Sequence, residues 1–219
     1  MKQPQNEHPQ QAQTTYKNAT KGYLIAFEGG ETTGKTTQAR LLAERIGARL
    51  SFEPGATELG HIIRSLVLDP QGPNPNPRAE ALLLAADRAQ HVSEIIRPTL
   101  ETGTHVVTDR YIGSSLAYQG IARGLGTDEV LALSQFATQN LACDLTVLLE
   151  VDHQTARSRQ AEPNDRIEAE MTKFHRRVLE GYQALATQDP KHWVIVNGNG
   201  SVTEVAATIY AAVQKRLDV

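Results

Sequence analysis

Tyr23-Leu24-Ile25-Ala26-Phe27-Glu28-Gly29-Gly30-Glu31-Thr32-Thr33-Gly34-Lys35-Thr36 decides the fold. Its opening residues, Tyr23 to Phe27, are apolar without alternation, the composition of a strand covered on both faces. Gly29 to Thr36 then spells G-x-x-x-x-G-K-[ST]. Beyond it Ala39, Leu42, Ala43 and Ile46 recur at helical spacing, so the motif sits between a strand and an amphipathic helix, as its chemistry requires. Glycines let the backbone curl until successive N–H groups face one anion, and the helix start adds its positive end. Gly29, Gly30, Glu31, Thr32, Thr33, Gly34, Lys35 and Thr36 are therefore expected to cradle the phosphates of ATP. Lys35 is expected on the β and γ groups and the Thr36 hydroxyl on Mg2+. A chance glycine-rich turn is the plain alternative, and the strand-loop-helix setting speaks against it.

Outward from this motif, short apolar runs alternate with helical patterns. Arg49 to Phe52 reads as a second strand, stopped by Pro54-Gly55. A helix follows from Glu58 to Leu68, then a Pro/Asn/Gly-rich loop from Asp69 to Pro77. Asn76-Pro77 is a helix start, and that helix is expected to reach about Leu100 with a break near Pro98. His105 to Thr108, Leu145 to Val151 and His192 to Val196 read as three more strands. Ile167, Met171, Phe174, Val178, Tyr182 and Leu185 line one helical face as core, and Trp193 falls in a buried strand. Ser201 and Glu204 form a capping box ahead of Val205, Ile209 and Val213. Doubly buried strands separated by helices predict a parallel sheet between two helical layers.

Composition removes several function classes. At 219 residues, 40% hydrophobic and 21% charged, the chain suits one α/β domain. Residues 1–20, polar and rich in Gln, read as a disordered tail, leaving 21–219 as the domain. A net charge of −3 with dispersed arginines gives no track for a nucleic acid. The single cysteine, Cys143, excludes an internal disulfide, reads as a small buried hydrophobe, and points to a reducing cytoplasmic setting. The longest apolar run, Ala81 to Ala86, is too short for a membrane span, and no secretion signal precedes it. The histidines have no metal-ligand spacing. A GTPase would need N-K-x-D, which is absent; Asp69-Pro70-Gln71-Gly72 spells D-x-x-G, but inside a proline-rich loop. A small phosphotransferase remains. Glu53, Asp109-Arg110 and Asp165-Arg166 follow expected strand ends or a short polar stretch, where such sheets bind ligands. Guanidinium suits a group that spreads charge over phosphoryl oxygens, and Arg110 sits at the crevice by topology.

Phe27-Glu28-Gly29 leading into Gly34-Lys35-Thr36-Thr37-Gln38 resembles the opening of thymidylate kinases of bacterial type. Glu53-Pro54-Gly55, Arg64-Ser65-Leu66 and Ala85-Ala86-Asp87-Arg88-Ala89-Gln90-His91 continue the likeness. Asp109-Arg110-Tyr111, Ser114-Ser115, Ala117-Tyr118-Gln119-Gly120 and Asp165-Arg166-Ile167-Glu168 complete it in family order, from about Tyr23 to the C-terminus. The resemblance implies a three-layer α/β P-loop kinase fold with a five-stranded, mainly parallel sheet and helices on both faces. It implies an acceptor region at about 53–90 and a lid at about 157–166. The implied reaction moves the γ-phosphoryl of ATP, with Mg2+, onto thymidine monophosphate (dTMP), in a homodimer.

By the same resemblance Arg88 and Arg110 hold the acceptor's phosphate, Arg64, Ser115 and Gln119 read the thymine edge, and Tyr118 packs by the sugar. Glu31 stands at an acidic loop position near sugar and phosphate, a pattern that calls for a lid arginine; Arg159 is the first choice and Arg166 the second. Leu84 stands where the family usually stacks an aromatic ring on the base, and Phe52 where bacterial members often carry arginine. The lid itself is short and has no arginine in its middle. Two rivals stay open: a deoxynucleoside kinase with Glu53 as base, and a nucleotide-binding module without catalysis.

Overall fold

β1 (Leu24–Glu28) is buried at every position and stands at the centre of the sheet. The computed structural model describes residues 21–159 and 165–219. The expected tail, residues 1–20, and the middle of the expected lid, residues 160–164, lie outside the described residues. After β1 come α1 (Lys35–Ile46), β2 (Arg49–Phe52), α2 (Glu58–Leu68) and α3 (Pro77–His91). A π-helical turn, Val92–Ile96, leads into α4 (Arg97–Glu101), β3 (Val106–Asp109) and α5 (Ile112–Ser115). A π-helical segment, Leu116–Ala122, precedes α6 (Thr127–Thr138), β4 (Leu145–Glu150) and α7 (His153–Arg159). α8 (Thr172–Gln188), β5 (Trp193–Asn197) and α9 (Val202–Gln214) close the fold.

The five strands lie in the order β2-β3-β1-β4-β5, and every pairing is parallel. Each expected strand is present within one residue of its expected ends. Side-chain alternation along β1 builds both layers at once. Ile25 and Phe27 face a cluster with Ala39, Leu42 and Ala43 of α1 and Val205, Ile209 and Val213 of α9. Leu24 and Ala26 face the other way, onto Val92, Ile96 and Leu100. A third cluster joins Leu148 to Ala117 and Tyr118 and to Val178, Tyr182 and Ala186 of α8.

The local signals act as their chemistry demands. Asn76 accepts from the Ala79 N–H at 3.0 Å with Pro77 in the first helical turn, and Ser201 with Glu204 makes a complete capping box. The long third helix departs from expectation upstream of Pro98. It widens into a π turn at Val92–Ile96, which contains Glu94, the residue whose carbonyl a proline four positions on would strike. Met171 is not core: it caps α8 and is 76% exposed, because the helix starts one residue later. β5 is an edge strand, so Ile195 is 48% exposed and Trp193 only half-buried. Cys143 is likewise half-buried.

The order of strands places the site. From β1 the chain crosses to β2 and returns to β3 on one side, and only then passes to β4 on the other. The reversal leaves a crevice at the carboxyl end of β1, where open α/β sheets bind ligands. The phosphate loop follows β1 there, and the register pairs Phe27 with Asp109 at the end of β3.

Candidate active site

Backbone geometry makes the loop after β1. Gly29 has φ +144 and Gly34 φ +92, both in the region that side chains disfavour. A Cβ on Gly29 would also sit 2.5 Å from the Leu149 carbonyl oxygen. Lys35 is buried, and its Nζ donates to the Gly30 carbonyl at 2.7 Å. Burial, with the Arg110 charge beside it, lowers the Lys35 pKa to about 8. The Thr36 hydroxyl donates to Asp109 Oδ2 at 2.5 Å. Asp109 Oδ1 is buried with no hydrogen-bond partner among the described residues.

Arg110, one residue past β3, adopts φ +72, and its N–H donates to the Phe27 carbonyl at 2.9 Å. Its guanidinium meets Glu31, Ser114 Oγ at 3.1 Å and the Tyr182 hydroxyl at 3.2 Å, and lies over the Tyr118 ring. The Tyr118 hydroxyl donates to Glu31 at 3.0 Å. Burial would raise the Glu31 pKa, but the Arg110 and Lys35 charges outweigh it and hold the carboxyl below its usual range. Beneath this layer lies Glu28, fully buried. It accepts from the Tyr111 and Ser114 N–H groups at 3.0 and 2.9 Å and from the Ser114 and Tyr182 hydroxyls at 2.6 and 3.0 Å. Burial raises its pKa despite these donors and Arg110.

Across the cleft, Arg88 of α3 is 3% exposed. It donates to Glu53 Oε2 at 2.8 Å, Ser115 Oγ at 2.9 Å and the Tyr111 carbonyl at 2.9 Å. The other Glu53 oxygen lies 2.8 Å from His91 Nδ1. Arg64 donates to the Pro54 carbonyl at 2.8 Å, and Gln119 Nε2 to Glu80 at 2.8 Å. Asp87 accepts from the Gly55 N–H at 3.0 Å; burial and the nearby Glu53 charge raise its pKa to about 6.

These groups enclose a cleft of about 410 Å3. The structure brings together Glu31, Lys35, Thr36, Glu53, Arg64, Leu84, Arg88, Arg110, Ser115, Tyr118 and Gln119 in its lining. Gly29, Gly30, Thr32, Thr33 and Gly34 form the backbone of the loop beside it. Two arginines expected in the lid stand elsewhere. Arg159, at the end of α7, is exposed and donates to the Gly198 carbonyl at 3.1 Å. Arg166 bonds the Val67 and Pro73 carbonyls, and its own N–H reaches the Leu68 carbonyl, so it clamps the C-terminal end of α2. Tyr182 is core by its ring, as expected, but its hydroxyl belongs to the site.

Sequence reading did not assign Glu28, Asp87, Ser114 or Glu168 to the site and gave Asp109 and Asp165 a place at the crevice but no role, although all but Glu28 line the cleft. Asp109 carried a usable signal, since it ends a buried strand immediately before Arg110. Glu28 carried another, as a carboxylate continuing a fully apolar run.

The family model described as Thymidylate kinase matches residues 27–209. A thymidylate kinase of Leifsonia xyli is 46% identical over 205 residues, covering 90% of this chain and 96% of the relative. One of a Synechococcus strain is 44% identical over 199 residues, covering 89% and 95%. The crystal structure of thymidylate kinase from Ehrlichia chaffeensis superposes with a TM-score of 0.73 at 27% identity, over 89% of this chain and 99% of that one.

Proposed function

The chain belongs to the thymidylate kinase family, and we propose that its cleft transfers the γ-phosphoryl group of ATP to dTMP, giving ADP and the diphosphate. It is an ATP-dependent phosphotransferase serving nucleotide synthesis. One observation carries the assignment of the residues: a phosphate loop with a buried lysine faces two arginines across a single cleft. The acceptor's phosphate oxygen is already ionised at pH 7, so the reaction needs alignment and charge neutralisation rather than a strong base. Lys35 meets the phosphates of ATP, while Arg110 and Arg88 meet the phosphate of dTMP. Three of the five N–H groups of Arg88 are committed to protein, leaving two for the acceptor.

Gln119 binds Glu80 through its amide nitrogen, which leaves its carbonyl oxygen for the thymine N3–H. Arg64 and the Ser115 hydroxyl supply donors to the base, Leu84 its apolar wall, and Tyr118 the sugar's flank. Glu53 does not fit the nucleoside-kinase role of free base, because both of its oxygens are engaged.

Mg2+ fits the residues present. Thr36 spends its proton on Asp109 and so offers a lone pair, and Asp109 keeps a buried oxygen without a hydrogen-bond partner among the described residues. Thr36 and Asp109 would hold the ion, which would supply positive charge against the charge that develops on the phosphoryl oxygens. Of the lid arginines, the Arg159 guanidinium has less to give up in turning to the phosphates, one bond against two for Arg166 among the described residues. The homodimer is supported by apolar side chains left bare on neighbouring helices: Leu59, Ile62 and Leu66 of α2, Leu82 of α3 and Phe136 of α6.

Arg110→Ala tests the assignment. It should lower kcat/KM for dTMP at least ~100-fold while leaving the fold intact. A variant within ~3-fold of wild type would remove Arg110 from the site.

A further inference from the structure

Ser51, His91, Glu53 and Arg88 form an unbroken hydrogen-bonded line from β2 through α3 into the acceptor cleft. The Ser51 hydroxyl lies 2.5 Å from His91 Nε2, and His91 Nδ1 lies 2.8 Å from Glu53 Oε1. Glu53 Oε2 accepts from Arg88 Nε at 2.8 Å. His91 is 0% exposed, so no ligand can touch it, yet it sits two contacts away from the guanidinium. An ion-paired carboxylate only accepts, so Nδ1 carries a proton toward Glu53, and in the neutral ring Nε2 is the acceptor for the Ser51 hydroxyl. The hydroxyl thereby sets the tautomer that Glu53 requires.

We propose that His91 is a positioning residue for the phosphoryl acceptor, holding Glu53 in the one orientation that leaves Arg88 free to bind phosphate. The inference rests on the reading of Arg88 as a ligand of the acceptor's phosphate. The physical reason lies in donor supply. Glu53 takes one N–H of Arg88 and no more, because its second oxygen is occupied by His91. Ser115 and the Tyr111 carbonyl take two others. Without the imidazole, Glu53 Oε1 is buried and unpaired, and the nearest compensation is a second Arg88 N–H in a bidentate fork. That fork removes one of the two donors the phosphate needs and rotates the guanidinium toward Glu53.

The test is calorimetric binding of dTMP, and separately of a non-hydrolysable ATP analogue, to the full-length protein and to three variants. His91→Gln carries its amide to the Nε2 position and abandons Glu53; His91→Asn places an N–H donor near Nδ1 and keeps it. Arg88→Lys removes the fork and tests the underlying reading. Expected are a ~10-fold or greater loss of dTMP affinity in H91Q with the ATP analogue within ~2-fold of wild type, and recovery to within ~3-fold in H91N. R88K should lose dTMP affinity at least as far as H91Q. Normal dTMP binding by H91Q beside a weakened R88K overturns the inference and leaves the reading of Arg88 standing. Normal binding by R88K overturns both. Equal losses for dTMP and the ATP analogue, or an H91N as weak as H91Q, reduce His91 to general packing and overturn it as well. Should H91Q not fold, H91N decides: binding near wild type supports the relay, and binding as weak as R88K overturns it.

Discussion

Replacing Glu28 should separate a structural carboxylate from a catalytic one. Four donors converge on it: two backbone N–H groups and two hydroxyls. In Glu28→Ala the hydroxyls can turn to each other, since Ser114 Oγ and the Tyr182 hydroxyl already lie 2.8 Å apart. The Ser114 N–H keeps the Tyr111 carbonyl at 3.2 Å, but the Tyr111 N–H cannot turn, and a stranded buried donor costs ~1–3 kcal/mol. Removing a carboxylate whose pKa burial has raised recovers part of this. The net expectation is a loss of ~1–3 kcal/mol, roughly 2–12 °C in Tm for a chain of this size. Glu28→Gln keeps an oxygen for both N–H groups and offers its amide to hydroxyls that can accept, so its cost should stay at ~0–1 kcal/mol. Urea titration followed by the fluorescence of the single tryptophan, Trp193, which packs in the third core cluster, reads both variants. An alanine variant losing less than ~1 kcal/mol, or a glutamine variant as damaged as the alanine one, would refute the reasoning.

Lys35 titrates near 8 in the free protein because burial and Arg110 oppose its charge, so kcat/KM for ATP should fall above pH 8 while kcat holds, since bound phosphates restore the ammonium. A kcat/KM profile flat to pH 9.5 would contradict this. Lys35→Ala should remove at least ~3 kcal/mol of transition-state stabilisation without unfolding the protein, measured as kcat/KM beside circular dichroism. Asp87 has a folded pKa of about 6 against an ordinary 3.8, so the folded state binds a proton the unfolded state releases between them. Its ionised form therefore destabilises above pH 6. Asp87→Asn should raise stability by on the order of 1–3 kcal/mol at pH 7.5 and by almost nothing near pH 4. A gain of equal size at both pH values would refute the titration.

The parts legible in the sequence are those that local chemistry dictates. The phosphate loop can be read because only glycine suits the backbone at Gly29 and Gly34, and the helix starts at Asn76 and Ser201 because a short polar side chain must satisfy free N–H groups. The strand order, and the pairing of the β1 and β3 ends that it brings, follow from packing and have no local signal. Glu28 meets Tyr182 across 154 residues, and Glu53 meets Arg88 across 35. Composition announces a buried acid in each case without naming the partner. Arg166 shows the converse: an arginine in the expected lid is taken up by the carbonyls of Val67 in α2 and Pro73 in the loop after it, a choice set by where the chain re-enters the fold.

The central claim is that this cleft accepts a nucleoside monophosphate through its arginines rather than a nucleoside through a base. Purified protein supplied with ATP, Mg2+ and either dTMP or thymidine, with products separated by ion-exchange chromatography, tests it most directly. Phosphoryl transfer to dTMP should yield the diphosphate with kcat/KM at least ~1,000-fold above that for thymidine, because a guanidinium pair at Arg88 and Arg110 has no anion to hold in the nucleoside. Ready conversion of thymidine to its monophosphate with dTMP left untouched would contradict the account and return Glu53 to the role of catalytic base.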